Sequence, residues 1–416
     1  MIDLIHAVLI CVFVLVLAWS LYHLPIITVG FVHLRRSSKK FGKMFFADVN
    51  PPNFSIIVPA KNEAKVIGRL LDALLRLNYP KDKFEVIVVV DGSTDNTFKI
   101  CARYAEEHGE NIRVVCKPVS DGKPSALNYG LKHAKGEIIG IFDADSIPEG
   151  NVLTSVCKYF RDSEVAAVQG RNFSMNAEEN RLTKLISYEE SVWCETFLRG
   201  KDVLGLFVHL KGSCQFIRRD VLEQLGGFDG KALSEDMDLS VRLVERGYKI
   251  KYASDVRSWQ ETPSRVGQLF KQRTRWFRGT MEVALKYGKL MTRPTKKNFD
   301  AELTLLGPFI LVASLVSYLL AFYASFAAFQ FDFMLQFLMQ LSVLGTSITL
   351  IVCGLALAYI SKPRRLTNVL WLPFMYFYWS LQAFIALYAV MLIILRRPRI
   401  WVKTDKKGTM TRALVH

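Results

Sequence analysis

Two aspartates separated by one small residue close the apolar run "EIIGIFDADS", at Asp143 and Asp145. Carboxylates this close repel unless a cation sits between them, and an all-oxygen pair suits Mg2+ or Mn2+ held jointly with a diphosphate. Such an ion neutralises charge developing on a leaving phosphate; a solvated turn is the plain alternative. Lys123, in "DGKPSALNYG", stands beside a Gly turn at the start of a helix, where a point charge suits phosphate, although a loop lysine looks the same. Asp91 follows "FEVIVVV" and precedes Gly92-Ser93. It can accept from a base or sugar edge, or cap the next helix. Glu235 and Asp236 open the amphipathic "SEDMDLSVRLVERGYKI". A helix N-terminus favours an ionised carboxylate, so Asp236 remains a base at neutral pH unless burial raises its pKa. Gln272, Arg275 and Trp276 fall within about one helical turn. An indole and a guanidinium so spaced stack on a sugar and hold a phosphate, or belong to a basic helix lying on a membrane.

The elements that must position these groups alternate from Phe54 onward. "FSIIVPA", "FEVIVVV", "IRVVC", "EIIGIFDAD" and "VAAVQGR" read as strands, separated by segments of helical period such as "EAKVIGRLLDALLRL" and the stretch after Pro124. That order predicts an α/β domain with a mostly parallel sheet, in which ligands sit beyond the carboxyl ends of the strands. The residues singled out above fall at those ends.

The chain has 416 residues, 51% of them apolar, with 54 basic against 38 acidic side chains and a net charge of +16. So apolar a composition excludes disorder. Seven scattered Cys without a Cys-x-x-Cys pair count against a disulfide scaffold or structural zinc and suit a reducing setting. Stretches 4–34, 303–331, 333–361 and 366–395 carry no Asp, Glu, Lys or Arg, and each is long enough for one bilayer crossing. The first is too long for a secretory signal and reads as a retained anchor. Arg35, Arg36, Lys39, Lys40 and Lys43 on one side of the middle domain, and Lys286, Lys289, Arg293, Lys296 and Lys297 on the other, predict that it is cytoplasmic. By the same rule the loop around Gln330 and Asp332 is outside, and Lys362, Arg364 and Arg365 are inside. The last stretch breaks the rule. One crossing leaves Arg396, Arg397, Arg399, Lys403, Lys406 and Lys407 outside, and 30 residues span roughly 45 Å. A re-entrant or interfacial segment broken at Pro373 resolves this. The basic excess is read as membrane attraction and orientation. No zinc-finger, helix-turn-helix or RNA-binding signature accompanies it, so nucleic acid is not an expected partner.

In order and spacing, "VPAKNE", "VVDGSTDN", "DGKPSALNYG", "FDADS", "KGSCQFIRR", "SEDMDLS" and "QRTRW", from residue 58 to 276, resemble the membrane-embedded family-2 glycosyltransferases. Hyaluronan, chitin, cellulose and poly-N-acetylglucosamine synthases are relatives, and the layout is most similar to the last, including a basic tail with Trp401. The resemblance implies a GT-A fold: an N-terminal transmembrane helix (1–34), a catalytic domain (35–285), a basic linker (286–302), a transmembrane region (303–395) and a basic tail (396–416). It implies inverting, metal-dependent transfer from a UDP-sugar, UDP-N-acetylglucosamine favoured, to a growing β-linked polysaccharide that then crosses the membrane. Carried over residue by residue, Glu63 and Asp91 contact uridine, Lys123 and Asp143 hold the donor, and Asp145 with Asp143 coordinates Mg2+ or Mn2+. Asp236 deprotonates the acceptor hydroxyl. Glu235, Gly212, Ser213 and Cys214 line the acceptor end, while Gln272, Arg275 and Trp276 bind the pyrophosphate and the terminal sugar. One departure is Val90, where the family pattern has a second Asp before Gly-Ser.

Polymer synthesis requires a lined path, for which Trp371, Tyr376, Tyr378, Trp379 and Gln382 are candidates; an aromatic belt is the alternative. Single transfer to a lipid acceptor shares the same motifs and is the second reading. A non-catalytic assembly protein is the third, against which Asp143, Asp145 and Asp236 all stand. The segment from Arg181 to Phe197, with Trp193, is expected as a helix at the membrane interface, and His209 as a packing or surface residue. Donor sugar, linkage, primer, and any accessory membrane subunit or homo-oligomer stay open.

Overall fold

In the computed structural model the described residues are 2–37, 51–288, 294–326, 332–361, 365–399 and 406–408. The expectations for Lys39, Lys40, Lys43, Lys289, Arg293, Gln330, Lys362, Arg364, Trp401 and Lys403 fall outside them.

The β-branched runs form β1 (Phe54–Ala60), β2 (Phe84–Asp91), β3 (Ile112–Lys117), β4 (Ile138–Ile141) and β6 (Val165–Ser174). The sequence reading missed β5 (Ile147–Pro148), β7 (Gln215–Arg218) and β8 (Lys249–Gln260), which lack a clear apolar run or are very short. All eight make one sheet in the order β3-β2-β1-β4-β7-β6-β8-β5. β1, β2, β3 and β4 pair in parallel, β8 joins β6 in parallel, and β7 and β5 run antiparallel. Continuous apolar strands are what a sheet covered on both faces demands. Ile57, Ile87 and Ile139 face one core, while Ile56, Val86 and Val88 face the other.

The covering helices are α2 (Ile67–Leu75), α3 (Thr97–Glu107), α4 (Lys123–Leu131), α5 (Val152–Cys157), α6 (Arg181–Val192), α7 (Arg199–Leu204), α8 (Arg219–Gln224), α9 (Glu235–Glu245) and α10 (Val266–Tyr287). The expected helix from Arg181 through Phe197 is present, with its last part in π form. α6 stops at Val192, and Trp193–Leu198 widens into a π-turn, with Phe197 buried and Trp193 partly exposed.

Among the described residues four helices are long and apolar enough to cross a membrane: α1 (Ile2–Ser37), α11 (Lys296–Phe326), α12 (Phe333–Ile360), and the segment of a 3-10 turn (Leu366–Trp371) with α13 (Leu372–Ile394). α1 meets the α/β domain backbone to backbone. A Cβ on Gly30 would lie 1.8 Å from the Thr196 carbonyl oxygen, and one on Gly200 2.0 Å from that of Ile26, so no larger residue fits either place. At the other end of this bundle Leu9 and Phe13 of α1 pack with Leu335 of α12 and Leu320 of α11.

α13 behaves differently. At its start the Trp371 ring is 5.8 Å from that of Tyr188 on α6. At its other end Arg278 of α10 donates to the carbonyls of Arg397 (2.6 Å) and Pro398 (3.0 Å), and Arg399 pairs with Glu282 (2.9 Å). Both ends of α13 therefore touch the α/β domain and its α10, and α13 lies along α10. Pro373 occupies its first turn, where the missing N–H costs nothing.

Candidate active site

The carboxyl ends of β1, β2, β4 and β8 share one edge of the sheet and deliver Glu63, Asp91, Asp143, Asp145 and Glu261 to it. Asp91 is buried at the end of β2, where its carboxylate accepts from Ser120 Oγ (2.7 Å) and lies 3.4 Å from Lys117 Nζ. Glu63 follows β1 in a turn whose Asn62 takes φ +55°, a conformation Asn tolerates better than most residues. The Glu63 N–H donates to Thr97 Oγ1 (2.8 Å).

Lys123 is the first residue of α4 and the centre of the site. Its ammonium lies 2.8 Å from Asp143 Oδ1 and 3.2 Å from Glu235 Oε1, and donates to the Gly212 carbonyl (2.9 Å). Burial works against that charge, yet Asp143, Glu235 and Asp236 together hold Lys123 above the usual lysine range. Gly212 takes φ +80°, a conformation that favours glycine, and a Cβ there would crowd Lys123 Nζ at 3.2 Å and Asp236 Oδ2 at 3.3 Å. The glycine therefore lets the Lys123 and Asp236 side chains approach the same backbone.

Asp236 sits in the first turn of α9, and its Oδ1 accepts from Ser234 Oγ (2.8 Å) and the Met237 N–H (2.9 Å). Burial, followed by the neighbouring Glu235 charge, pushes its carboxyl up to about 6, against the pull of Ser234, Lys123 and the Met237 N–H. The exception made for burial in the sequence reading therefore applies. Burial wins, and the result is a base poised near neutrality.

The acceptor assignments divide. Gly212 faces the site. Ser213 does not: it is buried, accepting from the Asp143 N–H (3.1 Å) and lying 3.0 Å from Ser146 Oγ, a brace between the two loops. Cys214 is fully buried at φ +51°, with a Cβ on Gly170 only 2.5 Å from its sulfur, so its thiol belongs to the core. Glu235 is also buried, and its carboxylate serves Lys123. Gln272, Arg275 and Trp276 lie together on α10. This helix meets α9 where a Cβ on Gly279 would fall 2.8 Å from that of Ser234, the residue bound to Asp236.

Two residues of the site were missed in the sequence. Asp145 Oδ2 accepts from the Glu261 N–H (3.0 Å) and lies 2.7 Å from Lys406 Nζ, which also reaches the Glu261 carbonyl (2.7 Å). The Glu261 carboxylate in turn accepts from the N–H of Lys407 (2.6 Å) and of Gly408 (3.1 Å). Glu261 is a carboxylate one residue beyond β8, so the strand-end rule would have found it had β8 been recognised. Lys406 carried no local signal, being one of several basic residues in a tail.

Among the described residues no three His, Cys, Asp or Glu side chains gather as a metal cage. The donor set nevertheless fits a hard cation shared with a diphosphate. Asp143 and Asp145 offer only oxygen, and the Lys406 ammonium already stands on Asp145 in the role of a cation. His209 is buried with its Nδ1 unpartnered, and burial, then Lys201 and Lys211, push it down to about 3, which fits the packing role expected.

A mostly parallel sheet with carboxylates, a lysine and a helix-borne acid at one edge defines a glycosyltransferase domain of the GT-A type. The chain belongs to the glycosyltransferase like family 2, whose family model matches residues 51–279. It is 34% identical over 64% of its length to the probable glycosyltransferase YdaM of Bacillus subtilis (strain 168), of which 64% is covered. It is 34% identical over 65% of its length to a beta-monoglucosyldiacylglycerol synthase of Nostoc sp., covering 58% of that protein. It is 29% identical over 56% of its length to a poly-beta-1,6-N-acetyl-D-glucosamine synthase of Staphylococcus epidermidis, covering 55%. The matches thus span less than two thirds of each of these relatives. Its fold is also that of the mannosyltransferase PcManGT of Pyrobaculum calidifontis, solved with GDP-Man and Mn2+ (TM-score 0.59, 23% identity, 93% of this chain and 100% of that one).

Proposed function

We propose that this chain transfers a sugar from a UDP-sugar to an alcohol acceptor with inversion at the anomeric carbon. The observation that carries the reading is the gathering of Lys123, Asp143, Glu235 and Asp236 around Gly212. Asp236 takes the proton from the acceptor hydroxyl as the acceptor oxygen bonds to the anomeric carbon. The bond from that carbon to the diphosphate oxygen breaks, and the leaving UDP keeps the electron pair. Lys123 and Arg275 offset its charge. Asp143 and Asp145 would hold Mg2+ or Mn2+, which when bound supplies further neutralisation of the diphosphate. Glu63 and Asp91 serve the uridine, Gln272 the pyrophosphate and Trp276 the acceptor.

For the acceptor, a lipid hydroxyl at the membrane face is the reading the geometry favours over a polymer. Of the candidate pore residues, Tyr378 and Gln382 donate to Glu189 of the catalytic domain (2.9 and 2.6 Å), Trp371 packs on Tyr188, and Tyr376 faces outward. The likeness to glucosyldiacylglycerol synthases supports it, while the likeness to poly-N-acetylglucosamine synthases sustains the polymer reading. With α13 along the interface and α1, α11 and α12 crossing, Arg396, Arg397, Arg399, Lys406 and Lys407 all fall on the catalytic side, which makes that side cytoplasmic.

The test incubates purified protein in diacylglycerol-containing vesicles with labelled UDP-glucose, UDP-N-acetylglucosamine or UDP-glucuronate, with Mn2+ or with EDTA. One discrete labelled lipid, lost in EDTA, is expected. A ladder of high-mass products overturns the lipid acceptor; absence of UDP release from every donor overturns the reaction.

A further inference from the structure

Two adjacent acids of α6, Glu189 and Glu190, take no part in the chemistry above, yet each is tied to a different piece of the acceptor side. Glu189 Oε2 accepts from Arg273 (2.5 Å) and from the Tyr378 hydroxyl (2.9 Å), and its Oε1 accepts from the Gln382 amide (2.6 Å). Its three donors come from α10 and α13. The Arg273 guanidinium in turn lies 4.5 Å from the ring centre of Trp276, a cation-over-ring contact that fixes the plane of the indole. Glu190 Oε1 lies 3.2 Å from Lys211 Nζ. The Lys211 N–H donates to Gln169 Oε1 (2.7 Å), and the next residue is Gly212, whose N–H donates to Gln215 Oε1 (3.0 Å).

We infer that Glu189 and Glu190 are positioning residues for the acceptor, an inference that rests on the glycosyl transfer proposed above. Glu189 sets the Trp276 platform through Arg273, and Glu190 sets the Gly212 backbone beside Asp236 through Lys211. α6 is suited to this. A capping box fixes its start, Asn180 Oδ1 accepting from the Thr183 N–H (3.0 Å) and Thr183 Oγ1 from the Asn180 N–H (3.0 Å). Its other end runs into the π-turn locked against Gly30 of α1. Along its length Lys184 and Tyr188 touch Trp371 at the start of α13. The helix is thus wedged between a membrane-associated helix and the site, and its two carboxylates are the polar links from one to the other. A lone structural salt bridge would link α6 to one neighbour; here one acid serves two helices and the next acid serves the loop facing the base.

The inference is tested on the full chain in vesicles with Glu189→Gln, which keeps size but removes the charge facing Arg273, and with Tyr378→Phe, which keeps the ring packed. The expected result is an acceptor KM raised about ten- to a hundredfold in Glu189→Gln, as for loss of a buried charged hydrogen bond, and a smaller rise in Tyr378→Phe. Donor KM and UDP release without acceptor stay at the wild-type level, and Glu189→Asp recovers part of the loss. An unchanged acceptor KM in Tyr378→Phe and Glu189→Gln overturns the inference. So does a fall in acceptor-free UDP release equal to the fall in transfer, which marks a merely structural role. If the wild type itself releases no UDP, the underlying reaction fails instead.

Discussion

Lys123 and Lys201 are both buried lysines facing carboxylates, and they mark opposite kinds of place in this molecule. Lys201 on α7 is fully buried, 3.0 Å from the equally buried Asp300 of α11, and donates to Thr304 Oγ1 (2.6 Å). Asp300 is completed by the Phe207 N–H and the Tyr22 hydroxyl, both at 2.9 Å. One charge meets one charge and both Asp300 oxygens are engaged; burial pushes the lysine below its usual range despite the Asp300 pull. Such a pair holds α1, α7 and α11 together and has no capacity left for a ligand. Around Lys123 three acids, Asp143, Glu235 and Asp236, share one lysine, and the Asp143 side chain is 37% exposed. A surplus of negative charge with an open side needs an incoming cation. The difference between a clamp and a site here is charge balance and access, since the residue types are alike.

Breaking the two clusters should therefore have opposite signatures. The largest effect expected is on rate: Asp236→Asn lowers turnover about 10²–10⁴-fold, measured as UDP release with acceptor present. Its effect on stability has the other sign. A carboxyl raised to about 6 in the folded chain binds its proton more tightly than the unfolded one, so its stabilising contribution is full below pH 4 and lost as pH rises through 6. At pH 7 the ionised Asp236 is a net cost, and Asp236→Asn should melt at an equal or higher temperature; a clear fall in Tm would show that this acid is structural after all.

Next in size, Lys201→Ala should destabilise by ~3–5 kcal/mol, because Asp300 is left buried and uncompensated. Thermal unfolding in detergent reads this, and activity per folded molecule should persist. The same change at Lys123 should raise the donor KM, an effect Lys201→Ala lacks, in addition to the stability lost when the buried Glu235 is left without its counter-charge. Equal behaviour of the two variants would erase the distinction between the clusters.

A pH profile sharpens it further. Turnover should fall about tenfold per unit below pH 6, as Asp236 protonates, while the fraction folded stays constant over that range. A profile flat down to pH 4.5 would remove Asp236 as the base. The smallest effect is expected at Lys406. Its ammonium occupies an oxygen of Asp145 that a divalent ion needs, so Lys406→Ala should lower the Mn2+ concentration for half-maximal binding by roughly two- to tenfold. Mn2+ EPR of the purified protein measures this; a rise instead would make the tail a supporter of the ion.

Much of this was legible beforehand for a simple reason. β1, β2, β4 and β6 are near-continuous apolar runs ending in turn residues, so both the strands and the carboxylates at their ends could be read off locally. The helical starts at Lys123 and Glu235 were equally plain. What failed was the part decided by long-range neighbours. β7 and β8 are mixed in polarity, so Glu261 at the end of β8 went unseen. Ser213 and Cys214 lie in a motif segment, but the backbone turns at Gly212 and Cys214 send their side chains inward. Tyr378 and Gln382 look like lining of a path until α6 supplies Glu189.

The amino-acid sequence alone determined the kind of sheet, the apolar helices and the set of acids, because hydrophobic period and turn chemistry act over a few residues. Only the tertiary structure decided which acids share a lysine, how far burial lifts Asp236, that the last apolar segment lies along α10, and that a tail lysine reaches Asp145. Those depend on dielectric surroundings and contacts between residues more than a hundred positions apart, and no local pattern encodes them.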